Sequence, residues 1–476
     1  MSRARPDPIV LLGAALGLAA LALPWVNFRE NRLVLGEGFP LLGLPAGWLL
    51  PALWLALGAL AWSSWRSDAR TAWLGAVLFA VTCAGVSGLL GGAASSLMLE
   101  ATPLARVSPA GGFWLSVLAL YVAGFGLSRW PGAARWSGLL GLLAFAAVPL
   151  LGWWQDLGLA QEYANIAGTF WPQLGLHLAL SLTALLLALI LGLPLGLAAA
   201  RHERLSGTVL GVAGFLQTVP SVALFGLVLP VFSALGRDAT LGSYVGWAGG
   251  ALLLGTALWR LFGQKIAGLL GGLLALLGVQ ALLLLGGLAL IGMLEGVWLG
   301  GRSFSPEALS LSAPLSAWGI RGIGAAPALL ALTIYALLPV VTNTFVGLRS
   351  VPPALTDAAR GLGMTGGQIL RRAEWPIALP FIMEGIRAAL VLTFGIATIA
   401  PLIGAGGLGF FIQRGVEGNV PDLVLLGALP IVLVALLLSG LVGWLGQRLT
   451  PPGLRPEAAA QGAELTEASP EVRSVS

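Results

Sequence analysis

Apolar residues along the chain gather into twelve runs, separated by short breaks rich in glycine, proline or charge. The runs are 9–25, 44–62, 72–90, 112–127, 137–153, 175–200, 206–234, 246–262, 267–294, 324–347, 380–404 and 422–444. Each is long enough to predict a helix spanning, or nearly spanning, a hydrocarbon layer ~30 Å thick. Placing the first polar segment, with Arg3 and Arg5, in the cytoplasm makes every second loop cytoplasmic. Eighteen of the 25 basic residues then lie inside, while Arg29, Arg32, Arg106, Arg237, Arg302, Arg321 and Arg414 lie outside. That bias is the orientation signal of membrane helices, and it predicts both termini in the cytoplasm. The basic turn Arg260/Lys265 supports the eighth run, 246–262, as a span of its own.

Composition narrows the class. Hydrophobic residues make up 57% of the 476 residues and charged residues 9%, against the ~25% charge of globular domains. Mean hydropathy is +0.91. The expected fold class is therefore an all-α polytopic membrane protein. Its 68 glycines suit close helix approach where no hydrophobic force drives helices together. The net charge of +5 is dispersed between apolar runs, which excludes a polyanion-binding stripe and hence nucleic acid as a partner. Cys83 is the only cysteine, so there is no intrachain disulfide, and we assign no metal site; Cys83 reads as a packing residue. The first run has a signal-like length but is expected to be retained, and the polar stretch 449–476 reads as a disordered tail.

Catalytic chemistry is poorly represented. Lys265 is the only lysine and stands in Gly-Gln-Lys-Ile, so no phosphate-binding loop of the form GxxxxGK[ST] exists. No charged residue falls near the centre of a run, which argues against an ion-coupled carrier. Gly85-Val86-Ser87-Gly88 matches a GxSG protease pattern, but four residues in so glycine-rich a chain match by chance. His177 is expected to face the outer interface, and His202 with Glu203 to form a cytoplasmic turn. Trp62, Trp65, Trp114, Trp130, Trp136, Trp153 and Trp154 sit at run ends, where an interfacial belt is expected.

The polar loop 349–380 carries more. Pro352 and Pro353 suit a first helical turn, Ser350 or a neighbour suits its cap, and Gly361 or Gly363 suits its end. A second short helix is expected from Gly366 to Glu374, stopping before Pro376. Asp357-Ala358-Ala359, Gly363, then Trp375-Pro376 resembles the EAA loop of ATP-binding-cassette (ABC) importer permeases, with Asp357 where Glu is usual and Trp375 where Leu is usual. Gln217-Thr218-Val219-Pro220-Ser221, Tyr335-Ala336-Leu337-Leu338-Pro339 with Asn343-Thr344, and Ile403-Gly404-Ala405-Gly406-Gly407-Leu408-Gly409 resemble permeases for glycine betaine, choline and other osmoprotectants. Leu23-Pro24-Trp25, Asn31-Arg32-Leu33-Val34, Gly36-Glu37-Gly38 and Glu162-Tyr163-Ala164-Asn165 are similar to an enlarged betaine-importer permease of enteric bacteria.

The resemblance implies a type I ABC importer core at 174–239 and 318–448, with the coupling loop at 349–380. Residues 1–173 would be a five-helix accessory region and 240–317 an inserted hairpin with its outer loop. Asp357, Ala358, Ala359, Gly363, Trp375 and Pro376 would couple to the ATPase. Gln217, Thr218, Pro220, Ser221, Asn343, Pro401, Gly404, Gly406 and Gly407 would serve the pathway and its gating. Pro220 removes an amide and the glycines permit bends, although a kink satisfied by neighbouring helices explains Pro220 equally well. Glu384 and Arg387, three apart, are expected to pair. The implied partners are ABC ATPase subunits, a second permease, an extracytoplasmic substrate-binding protein and the lipid bilayer. No cofactor binds this chain; ATP and Mg belong to the ATPase. The implied location is a bacterial inner membrane and the implied role transport without enzymatic chemistry. A permease for methionine or another amino acid shares the loop and the glycines, and an ATP-independent carrier or intramembrane enzyme is the alternative of a different class.

Overall fold

The computed structural model describes residues 6–32, 34–62, 69–130, 132–263, 266–299, 310–318 and 320–451. Arg3, Arg5, Trp65, Lys265, Arg302 and the tail expected to be disordered, from 452 onward, lie outside the described residues. The chain divides into two compact units, Met1–Ala167 with Arg414–Leu426, and Gly168–Gln413 with Gly427–Ser476.

The first unit begins with α1 (Pro8–Ala19). Asp7 caps it, its Oδ1 accepting from the Ile9 and Val10 amides at 2.9 and 3.2 Å. The Asp7 Oδ2 accepts from the Trp130 indole at 2.9 Å. Helices α2 (Leu49–Trp62), α3 (Ala69–Met98), α4 (Gly111–Ser128) and α5 (Ser137–Leu150) come next. Small residues set their spacing: a Cβ on Gly13 would lie 2.7 Å from the Ala123 backbone, and one on Gly17 would lie 2.2 Å from the Trp54 ring. Cys83 is buried in this packing, as expected.

A three-stranded antiparallel sheet interrupts the helices, with β1 (Pro24–Arg29) between β2 (Glu37–Pro40) and β3 (Arg106–Pro109). It shortens the first predicted run. Helical structure stops at Ala22, because Leu23 turns extended, and Trp25 joins the sheet as a buried core residue. The chain remains predominantly helical.

In the second unit, α6 (Gly158–Arg201) continues from the first and is 44 residues long, about 66 Å at 1.5 Å per residue. After it come α7 (Glu203–Thr218), α8 (Ser221–Asp238), α9 (Leu241–Phe262), α10 (Ile266–Leu299) and α11 (Ala325–Arg349). Thr240 and Ser243 close a capping box at the start of α9. Gly255, Gly271 and Gly278 let α9 and α10 touch backbone to backbone; a Cβ on Gly255 would lie 2.4 Å from the Ala275 nitrogen. Next are α12 (Pro353–Gly361), α13 (Gly366–Ile369), α14 (Trp375–Ile396), α15 (Gly409–Glu417) and α16 (Pro421–Leu449), of which the residues within Arg414–Leu426 belong to the first unit. Helices α11 and α14 meet closely, since a Cβ on Gly385 would lie 2.8 Å from the Pro339 carbonyl and one on Gly347 2.9 Å from that of Ala378.

Among the described residues, nine helices are long and apolar enough to cross a membrane. The first, second and fifth predicted runs correspond to shorter apolar helices, Pro8–Ala22, Leu49–Trp62 and Ala134–Leu150. The tryptophans at run ends divide. Trp62, Trp136 and Trp153 are exposed, as a belt requires, but Trp130 is buried on Asp7 and Trp154 donates to the Ser87 carbonyl at 3.0 Å. Ser87 itself is fully buried and donates to the Phe145 carbonyl at 2.9 Å, which accounts for it as a bond between α3 and α5.

Candidate functional site

The loop between α11 and α14 is ordered by its own sequence. Pro353 opens α12; of Ser350 and its neighbours it is Pro352 that takes the cap position, with no side-chain cap bond, while Ser350 ends α11 and donates to the Gly347 carbonyl at 2.8 Å. Gly363 stops α12 at φ +76°, and the Gly363 and Met364 amides close back onto Arg360 and Ala359 at 2.9 and 3.1 Å. Thr365 and Gln368 then form a capping box that starts α13. Helix α12 turns Ala359 inward and leaves Asp357 and Ala358 exposed beside Leu355 and Leu362. Asp357 pairs with Arg360 at 2.8 Å in the open.

The second short helix does not stop before Pro376. A π turn, Leu370–Glu374, joins α13 to α14, and Pro376 falls in the first turn of α14. A proline there needs no partner for its missing N–H, so it permits the helix to continue. Trp375 is partly buried beside Leu348, Ala378 and Ile382. Its bulk therefore supports the base of the loop rather than extending its outer surface.

Three ties hold the loop and its neighbours. Glu374, buried at the end of the π turn, pairs with Arg201, the last residue of α6. Glu203, the first residue of α7, stands 4.0 Å from Arg349, the last of α11. The expected pair of Glu384 and Arg387 forms at 3.7 Å with both side chains exposed, which gives it little energetic weight. Arg387 also donates to the Ser439 hydroxyl at 2.8 Å. His202 forms the non-helical step between α6 and α7 and packs edge-on to Trp259.

Pro220 breaks a helix rather than kinking it. The predicted run 206–234 becomes α7 and α8, with Val219 extended between them. Pro220 disfavours helical backbone at Val219, and Tyr335 on α11 holds the break: its hydroxyl donates to the Val219 carbonyl, while the Gln217 side-chain amide donates to the Tyr335 carbonyl at 3.4 Å. The hydroxyl thus satisfies one carbonyl that the break frees from the helical ladder, as backbone within lipid requires. Thr218 is exposed and donates to the Phe215 carbonyl at 2.7 Å, and Ser221 opens α8. Asn343 donates to the Pro339 carbonyl of its own helix at 2.8 Å and lies against Gly385.

Pro401 lies in a 3₁₀ segment, Ala397–Ile403, that ends α14. Beyond it Gly404, Gly406 and Gly407 have φ of +75°, +72° and +96°. The Gln173 side chain accepts from the Gly407 amide at 2.6 Å, and a Cβ on Gly406 would lie 2.5 Å from Leu176. His177, one turn along α6, is 1% exposed and packs on Phe394 at 5.7 Å. The expectation of an interfacial His177 is corrected: it lies beneath the glycine turn. Tyr335, Gln173, Arg201 and Glu374 were not in the sequence-based site; only Tyr335 carried a signal, through its motif.

The first unit holds a separate cluster of buried charge. Glu162 is 3% exposed and accepts from Arg32 at 2.6 Å and from Arg106 at 3.0 Å. Asp422, 2% exposed, accepts from Ser108 at 2.5 Å, and Arg29 donates to the Asn419 carbonyl at 2.9 Å. These bonds explain why Arg414–Leu426 belongs to the first unit despite its place in the sequence. Arg32 and Glu162 come from two of the stretches whose resemblance the sequence shows.

Comparison with known proteins gives two family matches. The description "Binding-protein-dependent transport system inner membrane component" matches residues 192–451, and "ABC transporter permease YehY, N-terminal domain" matches residues 5–160. The osmoprotectant import permease protein OsmW of Salmonella typhimurium is 34% identical over 255 residues, covering 54% of this chain and 80% of OsmW. The carnitine transport permease protein OpuCB of Listeria monocytogenes is 46% identical over 143 residues, 30% of this chain and 65% of that protein. The glycine betaine/carnitine/choline permease protein OpuCD of Bacillus subtilis is 41% identical over 133 residues, 28% of this chain and 58% of that protein.

Proposed function

As the chain belongs to the family of binding-protein-dependent transport system inner membrane components, we propose that it forms the translocation pathway of an ATP-driven importer for glycine betaine or a related quaternary-ammonium osmoprotectant. The observation that carries this reading is the loop 349–380, in which an amphipathic α12 exposes Leu355, Asp357 and Ala358, with Leu362 exposed just past its end. That surface suits docking by an ABC ATPase, which supplies the ATP and Mg chemistry. The solute class comes from the names of OsmW, OpuCB and OpuCD; these relatives favour an osmoprotectant over methionine or another amino acid.

In this reading two permease subunits, identical or related, enclose the pathway. The loop faces the cytoplasm and both termini lie there. ATP-driven closure of the ATPases shifts α12 and α13, and the pathway turns outward to take solute from an extracytoplasmic binding protein. The movable parts are the α7–α8 break at Val219-Pro220 and the glycine turn at 404–407. The domain division expected from the sequence assigns 174–239 and 318–448 to this core, with the region before it and the hairpin at 240–317 as additions.

Affinity purification of the tagged chain from its native membrane is expected to bring down an ABC ATPase. Replacing Leu355 and Leu362 together by Asp is expected to lose that partner while leaving the permease folded. Retention of the ATPase by the double variant would reject α12 as the docking surface.

A further inference from the structure

We propose that the Arg201–Glu374 ion pair is the positioning contact through which the loop's movement reaches the translocation helices. The inference rests on the coupling-loop reading of residues 349–380. Glu374 is the last residue of the π turn, so it occupies the junction where the loop becomes α14. Such widened turns recur at functional sites, where they shift the register of the helix that they lead into. Its side chain is 9% exposed and that of Arg201 is 40% exposed. A charge buried to that degree is held in place by its partner, because separating the two leaves a carboxylate with no compensation.

Arg201 stands at a junction too. It ends α6, and His202, with φ −129° and ψ 106°, is the single non-helical step before α7 begins at Glu203. The pair therefore joins the loop to a swivel between two helices. Helix α7 runs from that swivel to the break at Val219, which Tyr335 clamps to α11. The 4.0 Å pair of Glu203 and Arg349 adds little, since Glu203 is 89% exposed. Leu370 and Trp375, on either side of Glu374, pack with Leu348 and Ala378. They keep the π turn against the helices while the carboxylate fixes its register. Arg201 and Glu374 touch no solute in this scheme; they transmit the position of the loop.

The test uses the complete transporter, with its ATPase and binding protein, in proteoliposomes. Arg201→Glu and Glu374→Arg, each alone, are expected to reduce binding-protein-stimulated ATPase activity and solute uptake by about tenfold. Basal ATPase activity and co-purification of the ATPase should stay unchanged. The double charge reversal is expected to restore most of the stimulation, showing that the two residues act as a pair, while the loss of stimulation at unchanged basal activity and assembly separates this role from a purely structural one. If a reversal fails to assemble, Glu374→Gln keeps the shape and removes the charge, and the same loss of stimulation is expected. Unchanged stimulation in the single variants or in Glu374→Gln, or a double variant no better than the singles, would overturn the proposal. Failure of the wild-type chain to retain an ATPase would instead sink the coupling-loop reading itself.

Discussion

Gly363→Val in the assembled transporter is expected to lower solute uptake about tenfold, within the range set by the ~1–3 kcal/mol that a side chain stores in the left-handed region. Gly363 has φ +76°, and the space around it is open, with no atom within 4 Å of an added Cβ. The penalty is therefore one of backbone conformation and not of collision. That distinction predicts an order. Gly363→Asn should be tolerated best, Gly363→Ala should be intermediate, and the β-branched valine worst. Relief of the strain would unwind the bonds from the Gly363 and Met364 amides to Arg360 and Ala359. Helix α12 would then lose its angle to α13, and uptake together with stimulated ATPase activity would fall. Equal activity of the Asn, Ala and Val variants would show that this turn does not position the docking helix.

The second large effect concerns stability. Glu162→Gln is expected to cost about 3–5 kcal/mol, the usual consequence of removing one member of a buried ion pair. The cost comes mainly from Arg106, whose side chain is 10% exposed and which would lose its directly paired carboxylate. Arg32 is 47% exposed, and water compensates it in large part. Thermal unfolding of the detergent-solubilised chain checks the effect. Arg32→Gln should shift the transition much less than Glu162→Gln, and Glu162→Met combined with Arg106→Met should recover much of the loss. A Glu162→Gln variant as stable as the wild type would mean that the cluster contributes no net stability.

Much of the helical framework was legible because the bilayer demands long apolar runs, and each of the twelve runs corresponds to helical structure, although nine helices among the described residues meet the length and apolarity needed to span. What escaped was polar or short. Helix α6 begins at Gly158, earlier than its run at 175, because Gln161, Glu162, Asn165 and Gln173 interrupt the apolar signal without interrupting the helix. The sheet escaped because its strands are only four to six residues long. At Pro220 the sequence announces a disturbance, but the partner that holds the break, Tyr335, lies more than a hundred positions away. Likewise Arg201 and Glu374 are 173 positions apart, and nothing local marks them as partners. The loop at 349–380 was the most legible part of the site, since proline, glycine and capping residues act on their own neighbourhood. The one expectation there that fails, a stop before Pro376, concerns a residue that fits a helix end and a helix start equally well.

The most direct test of the central claim is uptake of labelled glycine betaine by proteoliposomes. They would contain the chain, its ATPase and its binding protein, with ATP on the ATPase side. The account predicts uptake that requires both partners, stops when the ATPase cannot hydrolyse ATP, and is competed by choline or carnitine but not by methionine. Uptake that proceeds without the ATPase, or that methionine competes and quaternary ammonium compounds do not, would contradict it.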